Sequence, residues 1–233
     1  MPANVSEPLP AATDTDDRLA ASLRGFGPLG LLAIVVVLSG NAVFVPLSAI
    51  LALVWARLAR VSLHELGFVW PQRWVRTILG GVVFGVALKL FMKSVVMPLF
   101  GADPVNQAFR YLAGNTAALP WVLYAVTVGA GFGEETIFRG FAFERLRRLL
   151  GTSAAATVVI VAFTAVWFGA EHYSLQGLAG VQQATVVGLV FGAVFATTRR
   201  LPLLIVAHAA FDVTAVALIY WEPETAVARA FFR

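Results

Sequence analysis

Ionisable residues interrupt the apolar segments of this chain at four places in its second half. A charged side chain at the centre of a bilayer costs about 2.5–3.5 kcal/mol, so four unpaired charges would cost on the order of 10–14 kcal/mol. That cost is comparable to the stability of a whole domain, so we expect the groups to pair or to share one water-filled cavity. The four places are Glu134–Glu135 with Arg139, Glu171–His172, His208 and Asp212.

Carboxylates and histidines in such a cavity suffice for hydrolysis by an activated water. One carboxylate accepts a proton from the water, while histidines orient the water or bind a metal that acidifies it. A cationic or hydrogen-bonding group stabilises the oxyanion that forms.

Helical spacing assigns partners among these residues. Glu135 and Arg139 are separated by four positions with the acid first, the favourable order for an ion pair on a helix. Glu134 points about 100° away from Glu135 and is left for chemistry. His208 and Asp212 are also four positions apart, so both face the same point.

Depth along the helices brings the four places near one another. Counted at about 1.5 Å per residue from the arginine-rich helix ends, Glu134, His172, His208 and Asp212 lie roughly 10–28 Å deep. Helix tilt and uncertain helix ends cover much of that spread. We therefore expect one cavity in the upper-middle of the bilayer, with Phe168, one turn before His172, as its wall.

Composition fixes the class of the protein. The chain of 233 residues is 59% hydrophobic and 13% charged, whereas soluble proteins carry about 25% charged residues. Repeated long apolar runs indicate an all-α, polytopic transmembrane bundle of about six spans.

The absence of cysteine excludes disulfides, thiolate ligands and a cysteine nucleophile. Nucleic-acid binding is rejected although the pI is near 10.0, because the arginines cluster between apolar runs as topology signals do.

Six spans place every arginine cluster on one side of the membrane. That side is cytoplasmic by the positive-inside rule, and both termini then face outwards. If the first run is a broken hairpin instead of one irregular span, the N-terminus moves inside and the rest is unchanged. The expected spans are about 28–57, 78–98, 121–150, 153–172, 178–198 and 201–220.

The expected domain organisation is simple. Residues 1–27 are predicted to be a disordered tail, 28–221 a single transmembrane domain with its core at about 118–220, and 222–233 a short tail. In the second span, Lys89 and Lys93 share one helix face and are expected to snorkel or to pair with an acid. Glu144 is expected to be a solvated partner of the arginines around it, and Glu171 to be interfacial.

Three motifs occur in order along these helices. They are EExxxR at Glu134, Glu135 and Arg139, FxxxH at Phe168 and His172, and HxxxN/D at His208 and Asp212. In this order the sequence resembles the CPBP family, which groups type II CAAX prenyl endopeptidases with bacteriocin-processing and Abi proteins. The resemblance covers roughly residues 62–220, including the LGF stretch at 66–68.

The resemblance implies an all-helical intramembrane protease. It implies that Glu134 activates the attacking water with His172 beside it, that Glu135 and Arg139 support the site, and that His208 and Asp212 complete it. Asp212 departs from the commoner asparagine, whose amide can donate to an oxyanion; an ionised aspartate cannot. Asp212 is therefore protonated, orients His208, or joins Glu134, His172 and His208 in binding a divalent metal such as zinc.

The same residues are compatible with other functions. Buried Glu, His, Lys and Asp also build proton- or ion-coupled transporters, although no internal repeat is visible. A non-catalytic membrane protein acting in immunity or complex assembly is the third possibility. For the protease, the expected partners are the lipid bilayer and a membrane-associated peptide or protein. Because only Lys89 and Lys93 of the 17 basic residues are lysines, we expect a GC-rich bacterial source and an inner-membrane location.

Overall fold

Length and apolar character decide which helices cross the membrane. The computed structural model describes residues 14–231, and in that range the chain is helical with no strand. Five of its helices, α4 to α8, are long and apolar enough to span a bilayer; a sixth span is counted if the bent pair Thr15–Arg24 and Pro28–Ala42 is taken together. The predicted polytopic all-α bundle is thus confirmed. The helices are α1 (Asp14–Arg24), α2 (Pro28–Ser39), α3 (Leu47–Leu58), α4 (Trp74–Leu99), α5 (Thr116–Leu150), α6 (Ala154–Glu171), α7 (Tyr173–Thr198), α8 (Leu201–Tyr220) and α9 (Glu224–Ala228).

The first apolar run is a hairpin of two short helices, not the single irregular span predicted for 28–57. At its tip, the Asn41 backbone N–H donates to Ser48 Oγ at 2.9 Å. At its base, Arg24 Nη1 donates to the Ala59 carbonyl at 2.8 Å. Each arm has 12 residues, about 18 Å of helix, which is too short to cross a bilayer.

The predicted disordered tail at 1–27 is wrong from Asp14 onward, because α1 docks on the base of this hairpin. Ala20 and Leu23 are buried, and Trp55 Nε1 donates to the Leu23 carbonyl at 3.1 Å. Disorder was predicted because this segment contains few apolar residues. The contacts with the hairpin stabilise α1 despite that composition. Residues 1–13 of that predicted tail lie outside the described part of the chain.

Arginines gather at one end of the bundle, which we call the arginine end. Arg145 of α5 donates from both terminal nitrogens to the carbonyls of Arg24 and Gly25, at 2.6 and 2.7 Å. The start of α2 therefore lies at the arginine end. The six-span topology predicted that the N-terminal segment lies on the other side of the membrane, and the described part of that segment does not. Glu144, predicted to be a solvated partner of the nearby arginines, is instead buried, although it does pair with Arg148.

Helix α8 packs between α4 and α5 through small residues. A Cβ on Gly85 of α4 would lie 2.1 Å from the Ala207 carbonyl oxygen of α8, and one on Gly131 of α5 would lie 3.0 Å from Ala209 Cβ. Glycines allow such close backbone approach between membrane helices. The start of α8 is held by the LGF stretch, since the Leu201 N–H donates to the Gly67 carbonyl at 2.8 Å. This packing fixes the position of His208 and Asp212 relative to α5.

Helix α5 runs without a break from Thr116 to Leu150. This agrees with the continuous helix predicted for residues 121–150. Its middle is wider than an α-helix, with π-helical turns at Ala125–Glu134 and Thr136–Ala142. Such turns are rare and occur frequently at functional sites. No feature of the sequence pattern predicted them.

The opposite end of the bundle is closed by α9, where only a short tail was predicted. Glu224 of α9 is 6% exposed and its Oε1 accepts from Lys93 Nζ at 2.8 Å and from the Asn106 N–H at 3.1 Å. The expected pairing of a membrane lysine with an acid is thus confirmed for Lys93. The ion pair draws the segment after Trp221 back onto α4.

We predict that Gly85→Ala lowers the thermal unfolding midpoint of the purified protein in detergent. The added methyl group overpacks the α4–α8 contact, which typically costs about 1–3 kcal/mol. Gly80→Ala is the matched control on the same helix, because its Cβ would meet nothing nearer than Leu203 Cδ1 at 4.0 Å. Equal midpoints for the two variants would contradict the close packing.

Candidate functional site

The structure brings five of the predicted site residues together at the contact between α5 and α8. Glu134, Glu135 and Arg139 come from the π-helical part of α5, and His208 and Asp212 from consecutive turns of α8. The imidazole of His208 lies at the centre, with each of its ring nitrogens facing carboxylates.

Glu135 is the shared acceptor of this cluster. Its Oε1 lies 2.8 Å from Arg139 Nη1 and 2.8 Å from His208 Nδ1. The ion pair with Arg139 was predicted from spacing, whereas the bond to His208 was not. An ionised carboxylate only accepts, so Nδ1 of His208 carries the proton and donates it to Glu135. This bond fixes the orientation of the ring.

The other ring nitrogen of His208 faces the open side of the site. Nε2 lies 3.7 Å from Glu134 Oε2 and 3.5 Å from Asp212 Oδ2. Both distances exceed a good hydrogen bond to a carboxylate, which is about 2.7–2.9 Å. Nε2 therefore faces both carboxylates without a close hydrogen bond to either of them.

The two adjacent glutamates face the same imidazole, contrary to the expectation that they point to separate partners. Glu135 contacts Nδ1 and Glu134 faces Nε2. In a π-helix the backbone bonds run from i to i+5, so successive residues turn by less than the about 100° of an α-helix. The wide turns on both sides of Glu135 place both carboxylates toward α8.

The exposed fractions of the four acidic and basic side chains around His208 indicate which of them can meet solvent. The side chains of Glu135 and Arg139 are 0% and 1% exposed, whereas those of Glu134 and Asp212 are 30% and 24% exposed. Within the described residues, Glu134 Oε2 is buried without a protein hydrogen-bond partner, so the exposed part of this side chain lies away from that oxygen. Glu134 is therefore the carboxylate that can meet a water and a substrate.

His172 lies beside the cluster but outside its hydrogen bonds. Its Nδ1 is 2.8 Å from the Phe168 carbonyl of its own helix, so Nδ1–H donates there and Nε2 is left as an acceptor. The Phe168 ring separates the two histidines, with its centroid 4.7 Å from that of His172 and 5.9 Å from that of His208. Phe168 thus walls the site, as expected.

Helix α7 contributes contacts that sequence reasoning missed. Phe191 packs against the His208 ring at 5.6 Å, and the Arg139 guanidinium lies over the rings of Phe168 and Phe191 at 4.9 and 5.6 Å. The Gly188 carbonyl accepts from Arg139 Nη2 at 3.4 Å. A phenylalanine and a glycine in an apolar run carry no signal that distinguishes them from ordinary core residues.

Two acidic residues near histidines lie away from the cluster. Glu171 is exposed and its Oε1 accepts from Trp167 Nε1 at 3.0 Å, which fits the interfacial position predicted for it. Glu65, next to His64, lies at the arginine end, where the Ser62 N–H bonds its carboxylate and holds its pKa below the usual range. Neither residue contributes to the site.

Of the four residues proposed from sequence as metal ligands, Glu134, His208 and Asp212 face one another, whereas His172 lies apart. In residues 14–231, no group of three histidine or acidic side chains is arranged to hold a metal ion. His208 uses one nitrogen on Glu135, and His172 uses one on a backbone carbonyl. Metal-binding histidines commonly donate from their second nitrogen in this way, so a bound metal stays a prediction from the sequence.

Comparison with known proteins identifies one family. Residues 116–214 match the family model described as type II CAAX prenyl endopeptidase Rce1-like. This segment contains all three motifs, and the predicted resemblance is confirmed there, although it was expected over the wider range 62–220. No curated protein and no solved structure matches the chain.

We predict that Glu135→Gln lowers the thermal unfolding midpoint in detergent. The substitution leaves the Arg139 guanidinium buried without a carboxylate, and breaking one partner of a buried ion pair typically costs about 3–5 kcal/mol. Glu171→Gln, an exposed carboxylate on α6, serves as the control and leaves the midpoint unchanged. The double variant Glu135→Gln/Arg139→Gln recovers part of the loss. A midpoint for Glu135→Gln equal to that of the control would contradict the shared-acceptor role.

Proposed function

We propose that the protein is an intramembrane endopeptidase, because residues 116–214 match the Rce1-like model of type II CAAX prenyl endopeptidases. It hydrolyses a peptide bond of a membrane-associated peptide or protein inside the bundle. The observation that carries the proposal is the placement of His208 Nε2 between the two partly exposed carboxylates, Glu134 and Asp212.

Glu134 acts as the general base in this proposal. It accepts a proton from water as the water oxygen attacks the carbonyl carbon of the scissile bond. The tetrahedral intermediate then collapses, the carbon–nitrogen bond breaks, and Glu134 returns the proton to the leaving amine. The partial exposure of Glu134 supports this role, because the base must reach both water and substrate.

His208 stabilises the oxyanion of the intermediate. When both its nitrogens carry protons, Nδ1–H donates to Glu135 and Nε2–H points into the space beside Glu134. The buried carboxylate of Glu135 favours this charged form of the ring and holds its orientation. A preorganised donor of this kind typically contributes about a hundredfold to a thousandfold in rate.

Arg139 acts through Glu135 and not on the substrate. Its guanidinium is held by Glu135, by the Gly188 carbonyl and by the rings of Phe168 and Phe191. The guanidinium lies 2.8 Å from Glu135 Oε1 and pairs with this buried carboxylate. Arg139 and Glu135 are therefore positioning residues.

Asp212 holds water at the open side of the site. Its Oδ2 lies 3.5 Å from His208 Nε2, and an ionised aspartate accepts hydrogen bonds only. It therefore serves as a second acceptor for the hydrolytic water and favours the charged form of His208. The orientation of His208 rests on Glu135, which is closer and fully buried.

The test is cleavage of a library of membrane-anchored peptides by the purified full chain in detergent. We expect Glu134→Gln to reduce kcat/KM by about 10²–10⁴, the usual contribution of a general base. The control Glu171→Gln removes a carboxylate outside the site and leaves kcat/KM within about twofold of wild type. Cleavage that survives both Glu134→Gln and His208→Asn sinks the assignment, and proton flux in liposomes without cleavage favours a transporter.

A chelator in the same assay tests the metal. Because no three of these side chains are arranged to hold a metal ion in the part of the chain that the structure describes, we expect EDTA and 1,10-phenanthroline to leave the cleavage rate unchanged. Loss of cleavage on chelation, restored by added zinc, would establish instead that Glu134, His172, His208 and Asp212 gather around a metal during the reaction.

A further inference from the structure

The hairpin of α2 and α3 starts at the arginine end and turns back inside the membrane. Its base is held at that end by the bond from Arg24 to the Ala59 carbonyl, and each arm extends about 18 Å from there. The hydrocarbon core of a bilayer is about 30 Å thick, so the turn, residues 40–46, which we call the hairpin tip, lies within it. Val43 and Phe44 of the tip are 77% and 51% exposed, as suits an apolar turn among lipid chains.

The hairpin tip is stabilised by hydrogen bonds within the hairpin. Non-helical backbone is tolerated at membrane depth only where its polar groups are bonded. The Asn41 N–H donates to Ser48 Oγ at 2.9 Å, and the Ser48 N–H donates to Asn41 Oδ1 at 3.0 Å. Ser48 Oγ in turn donates to the Leu38 carbonyl at 3.4 Å. The tip is therefore a preformed turn that other elements can pack against.

One side of α5 packs against this tip. A Cβ on Gly129 would lie 2.9 Å from Val45 Cγ1, and one on Gly133 would lie 3.2 Å from Pro46 Cβ. The Tyr124 hydroxyl, one wide turn earlier, donates to the Val45 carbonyl at 3.2 Å. The last of these contacts is at the residue directly before the proposed general base.

The other side of the same turn packs against α8. A Cβ on Gly131 would lie 3.0 Å from Ala209 Cβ and 3.1 Å from the Ile205 carbonyl oxygen. The π-helical turns at Ala125–Glu134 are thus held between the hairpin tip and α8. Within the described residues, Glu134 Oε2 has no protein hydrogen bond, so the direction of this side chain depends on the backbone that carries it.

We propose that the hairpin tip positions the general base, through Val45 and Pro46. The inference rests on the proposed function and adds two positioning residues, which act on α5 and not on the substrate. By packing against the two glycines, the tip keeps the turn of α5 wide, and the wide turn directs Glu134 toward His208. A displacement of about 1 Å at a catalytic group can cost on the order of a hundredfold in rate.

Moving a methyl group across the contact tests the inference. Val45→Ala removes the atom that contacts Gly129, whereas Gly129→Ala pushes a new methyl group against that atom. Each single change displaces the tip from α5, so we expect kcat for the membrane-anchored peptides to fall about tenfold to a hundredfold with KM within about twofold. The double variant Val45→Ala/Gly129→Ala restores a methyl group at the contact, and kcat should return to within about threefold of wild type because the two sites are coupled.

Gly192→Ala is the matched control for overpacking. Its added Cβ also meets a valine, at 3.2 Å from Val161 Cγ1, but on the contact between α6 and α7. We expect this variant to lower the thermal unfolding midpoint and to leave kcat within about twofold of wild type. A loss of kcat as large as that of Gly129→Ala would assign the effect to general destabilisation and overturn the positioning role.

A reversible cross-link tests whether the tip stays in place during turnover. The chain has no cysteine, and a sulfur atom at the position of Val45 Cγ1 would lie 2.9 Å from a Cβ at residue 129. For Val45→Cys/Gly129→Cys we expect oxidation to a disulfide to keep or raise kcat relative to the reduced form. A loss of kcat on oxidation that reduction reverses would show that the tip must move, and would overturn the inference.

NMR spectra of the ¹⁵N-histidine-labelled protein give a readout that needs no cleavage. Glu134 Oε2 faces His208 Nε2 at 3.7 Å, so the Nε2 shift responds to the position of that carboxylate. We expect Val45→Ala to move this shift in the same direction as Glu134→Gln, and Val45→Ala/Gly129→Ala to return it. If the wild type cleaves peptides while Val45→Ala keeps both the wild-type kcat and the wild-type shift, the inference fails and the proposed function stands. If no peptide is cleaved while the shift follows the tip variants as expected, the tip does position Glu134 and the peptidase is overturned.

Discussion

The geometry of the site depends on one buried oxygen atom. Glu135 Oε1 accepts from Arg139 Nη1 and from His208 Nδ1, both at 2.8 Å. The first bond lies within α5 and the second joins α5 to α8. Because Glu135 is fully buried, its charge is stable only with both donors in place, and neither donor can turn away without leaving a buried charge unpaired. The position of His208 Nε2, and with it the space beside Glu134 and Asp212, follows from this constraint.

The neighbouring helices pack aromatic and small residues around this arrangement, while Glu134 and Asp212 remain partly exposed. Phe168 and Phe191 pack around Arg139 and His208, so these two side chains contact aromatic rings. Gly85 and Gly131 bring α4 and α5 close to α8, and the approach of α5 and α8 keeps His208 at hydrogen-bonding distance from Glu135.

Much of this fold and some of this site follow from local patterns in the sequence. Apolar length located α4 to α8, and the i,i+4 rule found the Glu135–Arg139 pair, since both depend on residues that are close in the chain. The hairpin of α2 and α3 was misread as one span because length alone does not show where a chain turns back. The contact of Glu135 with His208 spans 73 positions and depends on π-helical turns that no residue pattern announced. The docking of α1 and α9 rests on contacts such as Trp55 with Leu23 and Lys93 with Glu224, which exist only once the bundle has formed.

The proton on His208 gives the most direct test of the central claim that Glu135 orients the imidazole. The chain has three histidines, so ¹⁵N-histidine labelling of the protein in detergent, with His64→Gln and His172→Gln for assignment, isolates the His208 ring in NMR spectra. The account predicts that Nδ1 of His208 carries a proton at neutral pH, with a hydrogen-bonded shift that moves in Glu135→Gln. A neutral His208 with its proton on Nε2 and a bare Nδ1, unaffected by Glu135→Gln, would contradict it.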